Sequence, residues 1–493
     1  MTNEMIRDDL NRKKIALVCA TNLIMFFFLV LFFTKIAPLI VYNCDDWIYL
    51  GEIRLPIPLW GSWNPTRVFF ETIMPICGRI AGYVVYPITR DFVKSVTIVS
   101  AFLLSALITI MCICFYKLMR ERFGKTELQA LFLELFFIAM FFMIFRTRSE
   151  SSYMFCAEDL CCVFNYIMPG VLNAIVVLVM ARYQNFSDSF KSFSVAKKCA
   201  FIILLYFALL SNIFHSVITI SYCVAKILRR LIVNCTSKEK TLGKLIYEAR
   251  IELIIVCAWL VVLVFEKSGG RAGDFETGLD IVRTLLQFKA IMFAVSIPFI
   301  IIVVESIVYT VISILEKSEI RPLVLELLVG LAITFVFLFL LNSKVGYMSR
   351  VDATWGIWFY LILLCSIVFS ELQSRMNLRS GVSVGLLLLI FFLCYYPDGK
   401  YMISSSRNRN YELCYKTSSY YEQSIIAADK EGKDTLYIKI PEVEVYNGTN
   451  LTFYPGFGDA VSKTLYLNGI IDNVIVVVEQ ADPSLNEEFL GVD

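Results

Sequence analysis

Two adjacent carboxylates, Asp45 and Asp46, follow directly after the first long apolar run and open a polar loop, residues 41–91. Charged side chains at a membrane boundary are costly unless water, cations or a function holds them there. Such a pair could supply a general base, in which one carboxylate takes the proton of an attacking hydroxyl group. Trp47, the next residue, could stack on a flat substrate or anchor the loop at the interface. The alternative is that both acids cap the following turn on a wet surface.

The same loop contains further polar and aromatic candidates. Trp63, Asn64 and Arg67 are candidate substrate contacts, and Asn64 followed by Pro65 is typical of a helix start. Residues 68–86 are apolar, carry few charges and are interrupted by a proline and two glycines. This pattern favours helices that lie in the membrane interface rather than another crossing.

Other polar residues stand beside later apolar runs. Glu158 and Asp159 could orient substrate hydroxyl groups or bind a metal ion, or they could form a solvated rim. Asn165 and Tyr166 follow at the start of the next apolar run, where we expect substrate contacts. His215, the single histidine of the sequence, lies between two short apolar stretches. It either lines a cavity or is a hydrogen-bonded structural residue.

Two arginines are candidate ligands for a phosphate group. Arg271 follows Gly269 and Gly270, and a guanidinium group beside flexible backbone N–H groups suits an anion site. The same glycine pair is equally compatible with an ordinary loop. Arg350 is the second candidate, and its simpler role would be a salt bridge to Asp352.

The sequence contains no motif that indicates a nucleotide or a zinc protease site: GxxxxGK[ST], GxGxxG and HExxH are all absent. Many of the 15 cysteines lie in apolar runs, where they behave as small apolar residues. None forms a pair with convincing zinc-ligand spacing. We therefore expect no cofactor, with a divalent metal ion left open. The net charge of +2 gives no reason to expect nucleic acid as a partner.

Membrane-spanning helices must position these residues. Hydrophobic residues make up 58% and charged residues 18% of the chain, with a mean hydropathy of +0.69. A soluble globular chain is roughly 45–50% apolar and about 25% charged. Several apolar runs approach the ~20 residues that a helix needs to cross a bilayer. The sequence predicts an all-α polytopic membrane protein with about eleven spans, at 15–40, 92–116, 128–145, 163–181, 199–212, 214–228, 251–265, 290–313, 323–342, 356–370 and 380–396.

Positive charge sets the predicted orientation, because Lys and Arg are retained in cytoplasmic loops. More of them lie in the loops that would be cytoplasmic if the N-terminus is inside. An odd number of spans then places everything after Tyr396 outside. This divides the chain into a transmembrane domain, residues 1–396, and an outer C-terminal region, residues 397–493.

The C-terminal region has the pattern of a small α+β module. Residues 411–430 predict a helix that ends before Gly432. Residues 434–440 alternate between apolar and polar types, as a half-buried strand does, and residues 473–478 predict a buried strand. At about 95 residues, the region is large enough for a small domain.

The order of these features resembles the GT-C superfamily of membrane glycosyltransferases. In both, a first span with a cytoplasmic N-terminus is followed at once by an outer loop with paired acids and interface helices. More narrowly, several short motifs are similar to bacterial glucosyltransferase-like proteins that modify O-antigens and other surface polysaccharides. They are Asp45-Asp46-Trp47, Trp63-Asn64-Pro65-Thr66-Arg67, Asn165-Tyr166 with Pro169, and Tyr420-Tyr421 followed by Gly432-Lys433-Asp434.

The resemblance implies an inverting transfer on the outer face of the bacterial plasma membrane. A polyprenyl-phosphate-linked sugar would be the donor and a cell-surface glycan the acceptor, with the lipid bilayer as the environment of both. It implies Asp45 as the base and Asp46 as an orienting residue. Arg271 and Arg350 would hold the leaving phosphate.

Three alternatives stay open: a polysaccharide polymerase or ligase, a lipid-linked glycan transporter or flippase, and a non-enzymatic scaffold. A transporter would need charged residues deep in several spans, or broken helices in symmetric halves. In this sequence, ionisable residues concentrate at the ends of the predicted spans. A polymerase would more typically use a large outer loop rich in Arg and His.

Overall fold

The computed structural model describes most of the chain. The described residues are 3–52, 65–146, 150–236, 242–268, 278–316, 318–375, 400–401, 411–442 and 456–490. Three predicted site residues, Trp63, Asn64 and Arg271, lie outside these ranges. The predicted span 380–396 and the predicted domain boundary at its end lie outside them too.

Helices account for nearly all of the described membrane region. In chain order the helices are α1 (Asn3–Leu31), α2 (Cys44–Gly51), α3 (Val68–Ile80), α4 (Tyr86–Thr89), α5 (Phe92–Glu121), α6 (Glu127–Met143), α7 (Leu160–Cys162), α8 (Met168–Ala181), α9 (Phe186–Lys191), α10 (Val195–Leu209), α11 (Ile213–Thr236), α12 (Leu242–Glu248), α13 (Arg250–Ser268), α14 (Ile281–Ala294), α15 (Ile297–Leu315), α16 (Arg321–Val345), α17 (Val351–Arg375), α18 (Tyr411–Lys430), α19 (Phe457–Leu467) and α20 (Asn486–Leu490). The π-helical turns are Phe32–Ile36, Ala81–Val85 and Val163–Ile167, and the 3-10 turns are Pro65–Arg67 and Pro483–Leu485. The short strands β1 (Phe145–Arg146), β2 (Glu150–Ser152) and β3 (Lys400–Tyr401) form one small sheet.

Seven stretches of helix in the described residues are long and apolar enough to cross a membrane. They are Lys13–Ile36, Pro65–Thr89, Phe92–Glu121, Leu160–Ala181, Ile297–Leu315, Arg321–Val345 and Trp355–Gln373. Large apolar side chains such as Phe27 on α1 and Ile307 on α15 are exposed on the outside of the bundle. Exposed apolar side chains of this kind are favourable in lipid, where water does not contact them. A helix also suits lipid, because its backbone hydrogen bonds are formed within the helix. The predicted class, an all-α polytopic membrane protein, is confirmed.

Each predicted span within the described residues falls mainly on helix, although 15–40, 128–145 and 199–212 run past their helix ends, and one further span is wrong in its boundaries. The predicted span 290–313 covers two separate helices, α14 and α15. Ser296 lies between them: its N–H donates to the carbonyl of Ile144 (2.8 Å), and its hydroxyl accepts from the N–H of Phe299 (3.3 Å) as the N-cap of α15. Around His215, α10 and α11 are two separate helices, as predicted.

One end of the bundle carries the short helix α2, and we call it the site end. There α5 begins, with the ring of Phe92 lying 6.0 Å from that of Trp47 in α2. The span that starts with α7 also begins there, because the N–H of Cys161 donates to Asp46 in α2 (2.6 Å). The acidic pair therefore lies where several spans meet.

The stretch Pro65–Thr89 has the length and apolarity of a span, whereas the sequence predicted an interface helix. Its contacts favour the interface position. At its start, the N–H of Phe69 donates to the carbonyl of Leu210 at the end of α10 (3.0 Å). The end of α10 lies at the site end, because Asn212 bonds to Asn165 near the start of the α7–α8 span (3.4 Å). Its other end leads into α5, which also begins there, so the stretch runs along the site end.

The C-terminal region consists of α18, α19, α20 and two parallel strands, β4 (Thr435–Ile440) and β5 (Val476–Ala481). The predicted helix 411–430 is confirmed, and Gly432 follows it with φ +69°, a left-handed conformation that glycine adopts freely. The prediction of a buried strand at 473–478 is wrong in its bounds and in its burial, because strand β5 begins at Val476 and ends at Ala481. Only Val477 of β5 is buried, because α19 covers one face of the two-stranded sheet and nothing described covers the other.

Helix α18 attaches this region to the membrane bundle. The buried carboxylate of Glu422 accepts from the N–H groups of Phe92 (2.7 Å) and Val93 (3.1 Å). These groups lie at the start of α5, where N–H groups have no partner within the helix. The hydroxyl of Ser418 donates to the carbonyl of Val41 (2.7 Å), just before the acidic pair. Burial raises the pKa of Glu422 to about 7.

We expect this attachment to weaken as the pH rises. An ordinary Glu has a pKa of about 4.3, so between that value and about 7 the docked region binds more protons than a detached one. The contribution of Glu422 to the stability of the docked state is therefore fully present below about pH 4 and is lost as the pH rises through about 7. Nearby Asp91 raises the pKa and Lys94 lowers it. Limited proteolysis of the detergent-solubilised protein should release the C-terminal region faster at pH 8 than at pH 5.5.

Glu422→Gln is the control for this effect, because the amide keeps an acceptor oxygen but does not titrate in this range. The variant should lose the difference between pH 5.5 and pH 8. An undiminished difference in Glu422→Gln would assign the pH dependence to another group.

Candidate functional site

The acidic pair lies in the first turn of α2, and the two side chains face different surroundings. Asn43 is the N-cap: its side chain accepts from the N–H of Asp45 (3.4 Å), and the carboxylate of Asp46 accepts from the N–H of Asn43 (3.1 Å). This reciprocal capping box fixes the register of the helix. As a result, Asp45 is exposed and Asp46 is fully buried.

Asp46 is a structural anchor in this arrangement. Its carboxylate accepts from the N–H groups of Tyr42 (3.1 Å), Asn43 (3.1 Å) and Cys161 (2.6 Å). Burial and, after it, the charge of Asp159 raise the pKa of Asp46 well above its usual value. Of the two roles that the sequence left open for Asp46, orienting a substrate or capping the following turn, the structure shows the capping role, because its oxygens are occupied by backbone donors.

Asp159 is brought close to Asp46 and also caps a helix. One of its oxygens accepts from the N–H of Cys162 (2.6 Å), and the other accepts from the side chain of Asn43 (2.9 Å). The acid that approaches Asp46 is therefore Asp159, from the polar segment directly before α7, rather than another residue of the first loop. Glu158, its neighbour, is half-buried: its carbonyl accepts from the hydroxyl of Tyr42 (2.6 Å).

Arg350 is committed to protein partners. Its guanidinium group forms a two-point contact with Asp352 (3.0 and 2.6 Å) and a longer ion pair with Glu158 (3.4 Å). The rings of Tyr166 and Tyr347 flank it, at 5.2 and 4.9 Å from the ring centres. The salt bridge to Asp352, the simpler of the two predicted roles, is therefore the one present. This leaves little of Arg350 to bind a phosphate.

Arg67 ends the 3-10 turn Pro65–Arg67, directly before α3. Its Nε is 3.1 Å from Glu71, its Nη2 bonds to the hydroxyl of Tyr49, and its guanidinium group lies 5.0 Å from the centre of the Tyr49 ring. No described residue bonds to its Nη1. The side chain of Arg67 is 19% exposed, so part of this cation remains accessible.

Three other predicted site residues are buried in packing rather than open to a cavity. Trp47 is 0% exposed against Phe92, so it offers no face to a sugar ring. His215 is also 0% exposed, and its Nε2 donates to the carbonyl of Asp352 (2.8 Å). Asn165 is buried and bonds to Asn212. Neighbouring helices cover all three residues, so Trp47 and His215 have the structural roles that the sequence left open as alternatives, and the described packing does not support Asn165 as a substrate contact.

A hollow of about 450 Å³, partly continuous with solvent, opens beside Glu158 and Asp159, and neither Asp45 nor Asp46 is among the residues that line it. Its lining comes from three segments: part of 37–42, part of 153–163 and the start of α18. It includes Asp159, Tyr153 and Tyr411. The sequence predicted α18 as a helix, but nothing in its pattern pointed to Tyr411 as part of a site. That contact arises because α18 docks onto the first loop.

Several charged residues meet at the first turn of α7. Cys161 is within electrostatic range of Asp45, Asp46 and Asp159, and Arg67 is within range of Cys161. Within this group, Asp45 is the exposed acid, and no described residue bonds to its carboxylate. An exposed, unpartnered carboxylate on a rigid helix turn can accept a proton from a bound hydroxyl group.

The described residues contain no group of three His, Cys, Asp or Glu side chains that could hold a metal ion. The expectation that the protein uses no cofactor, with a divalent metal ion left open, stays a prediction.

No protein-family model matches the sequence, and no curated protein matches it. A search of solved structures finds the crystal structure of the Archaeoglobus fulgidus oligosaccharyltransferase in complex with zinc and sulfate. The two share 12% sequence identity with a TM-score of 0.41, and the alignment covers 94% of this chain. The chain spans 62% of the length of that structure. This likeness is too weak to assign an activity, so the function has to be inferred from the residues described above.

Proposed function

We propose that this chain is a membrane glycosyltransferase of the GT-C kind, with Asp45 as the general base. A single observation supports this best: of the two acids that open the first loop, one is fully buried and anchored, and the other is exposed at the site end, where no described residue bonds to its carboxylate. Because Asp46 anchors the first turn of α2, the neighbouring Asp45 is held in one position, as a general base must be in the transition state.

In the proposed reaction, a sugar moves from a polyprenyl-phosphate donor to a surface glycan. The acceptor oxygen forms a bond to the anomeric carbon while the bond between that carbon and the phosphate oxygen breaks. The acceptor proton goes to Asp45, and polyprenyl phosphate leaves with the electron pair of the broken bond. Inversion at the anomeric carbon follows from this single displacement.

A cation should stabilise the leaving phosphate. Arg350 is engaged by Asp352 and Glu158, which makes it a weaker candidate than its position in the sequence suggested. The side chain of Arg67 is 19% exposed, no described residue bonds to its Nη1, and it lies near the same turn of α7 as Asp45. We therefore propose Arg67 as a phosphate contact, together with Arg271.

The donor class can be tested directly with the purified protein. We expect it to consume a polyprenyl-phosphate sugar and release polyprenyl phosphate with no nucleotide sugar present. The assay uses a panel of polyprenyl-phosphate hexoses with a surface-glycan extract, and the Asp45→Asn protein serves as the inactive control. Strict dependence on a nucleotide sugar would contradict the proposed donor and the proposed face of the membrane.

The proposed orientation places the C-terminal region on the outer face of a bacterial plasma membrane. An epitope tag after Asp493 should be detected on intact cells, and a tag before Met1 should be detected only after permeabilisation. The measurement is antibody binding with and without permeabilisation. Protection of the C-terminal tag in intact cells would reverse the proposed orientation.

A lipid-linked glycan transporter is the second candidate. Lys226 of α11 and Glu252 of α13 form a buried ion pair (3.4 Å) at 1% and 0% exposure, beside the short helix α9. Buried charge of this kind also occurs along transport pathways. The donor assay separates the two functions, because a transporter would move the lipid-linked sugar across a vesicle without releasing polyprenyl phosphate.

A further inference from the structure

Helix α2, which carries Asp45, is only 8 residues long. A helix of this length has little stability of its own, because the cost of its first turn is not recovered over so few residues. Its last carbonyl groups also lack partners within the helix. Contacts from elsewhere must therefore hold the direction of α2, and with it the position of Asp45.

The C-terminal region supplies two contacts to the backbone of α2, one in its middle and one at its end. The hydroxyl of Thr464 in α19 donates to the carbonyl of Trp47 (2.5 Å), and the side chain of Asn468 donates to the carbonyl of Leu50 (3.4 Å). Arg79 donates to the carbonyl of Gly51 (3.3 Å). Thr464 and Asn468 are both buried, so water does not compete for these bonds.

Three glycines permit this close approach. A Cβ atom on Gly51 would lie 2.7 Å from the hydroxyl oxygen of Thr464, and one on Gly82 would lie 2.2 Å from the carbonyl oxygen of Asn468. A Cβ on Gly78 would lie 2.6 Å from the carbonyl oxygen of Leu50. Helices α2 and α19 and the stretch Pro65–Thr89 are therefore packed backbone against backbone, which leaves α2 little room to shift.

We propose that the C-terminal region is a working part of the site, with Thr464 and Asn468 as positioning residues that hold α2 and so place Asp45. Neither residue reaches the reacting atoms; each acts through the backbone of α2. The role in catalysis rests on the proposed function, whereas the role in holding α2 does not.

The chain provides its own reporter for the position of α2. Cys44 is the first residue of this helix, stands next to Asp45 and is half-buried. Burial, and after it the charge of Asp45, raises the pKa of its thiol, so its reaction with a maleimide should be slow in the native protein. Loosening of α2 would expose this thiol and speed up its labelling.

The test compares full-length variants in detergent. Thr464→Val removes the donated bond while keeping the side-chain volume, Thr464→Ser restores a hydroxyl, and Asn468→Ala is a second loss variant. Lys463→Ala is the matched control, because Lys463 touches α2 only through an exposed ion pair with Glu52, and such pairs contribute little. The readouts are hydrogen exchange of residues 44–52, labelling of Cys44 located by mass spectrometry, and glycosyl transfer from the polyprenyl-phosphate hexose panel.

We expect exchange in residues 44–52 and labelling of Cys44 to rise about tenfold in Thr464→Val. Asn468→Ala should behave in the same way, whereas Thr464→Ser and Lys463→Ala should match the native protein. Transfer should show a lower kcat with little change in the donor KM, because the base is displaced while the donor contacts remain.

Unchanged exchange and labelling in both loss variants would overturn the positioning role, whatever the activity shows. Faster exchange with normal transfer would overturn the catalytic part of the inference. If neither these variants nor Asp45→Asn affects transfer, the proposed base is wrong, and the structural link between α19 and α2 still stands on the exchange data.

Discussion

Replacing Asp45 by Asn is expected to reduce glycosyl transfer by a factor of about 10²–10⁴, the usual contribution of a general base. The amide has nearly the same shape but cannot accept the acceptor proton. Because the Asp45 side chain is exposed and no described residue bonds to its carboxylate, the change should leave insertion, accumulation and thermal stability of the protein intact. Transfer from polyprenyl-phosphate hexoses and the glycan profile of cells carrying the variant are the two measurements.

Glu52→Gln is the matched control for Asp45→Asn. It also converts a carboxylate to an amide, at the opposite end of α2, where Glu52 pairs with Lys463 in an exposed ion pair. Transfer by this variant should stay within about twofold of native, since exposed pairs of this kind contribute little. Normal transfer by Asp45→Asn would remove Asp45 from the mechanism.

Replacing the neighbouring Asp46 by Ala should have a different consequence, a loss of the folded protein. The change leaves the N–H groups of Tyr42, Asn43 and Cys161 without their acceptor inside the packed site end. Leaving buried donors unsatisfied costs about 1–3 kcal/mol each, so we expect a loss of about 3 kcal/mol or more in the free energy of unfolding. Thermal unfolding in detergent and the amount of protein in the membrane measure this effect, with Asp45→Asn as the stable reference.

The contrast between the two neighbours is the informative result. If Asp46→Ala accumulates and unfolds like the native protein but transfers no sugar, Asp46 acts in the chemistry and the roles assigned to the pair are reversed. If Asp46→Ala is unstable while Asp45→Asn is stable and inactive, the division of roles stands.

Much of the fold follows from local patterns in the sequence. The helix 411–430 was predictable from its own residues and from Gly432 after it, and the spans followed from apolar runs that only lipid can cover. The break at Ser296 had a local signal that the apolar run concealed, because a serine followed two residues later by Pro298 is typical of a helix start. A bond from Ser296 to Ile144, which lies far away in the sequence, also holds this position.

The site was less predictable, because its geometry depends on contacts between distant segments. The sequence placed two acids side by side, but which one faces water is decided by the capping box and by Cys161. The ion pair between Arg350 and Asp352 joins residues two positions apart, and it was among the predicted alternatives for that reason. The proximity of Asp159 to Asp46 and of α18 to the hollow comes from tertiary packing, which no local pattern records.

The shared attachment of Asp46 and Asp159 to the first turn of α7 has a mechanical consequence. That turn is the leading edge of the span Leu160–Ala181, so the loop that carries Asp45 is tied to the tilt of one transmembrane helix. The tilt of this helix is set by the neighbouring helices that bury most of it. A rearrangement of those helices would therefore move the loop that carries Asp45 together with the start of the span.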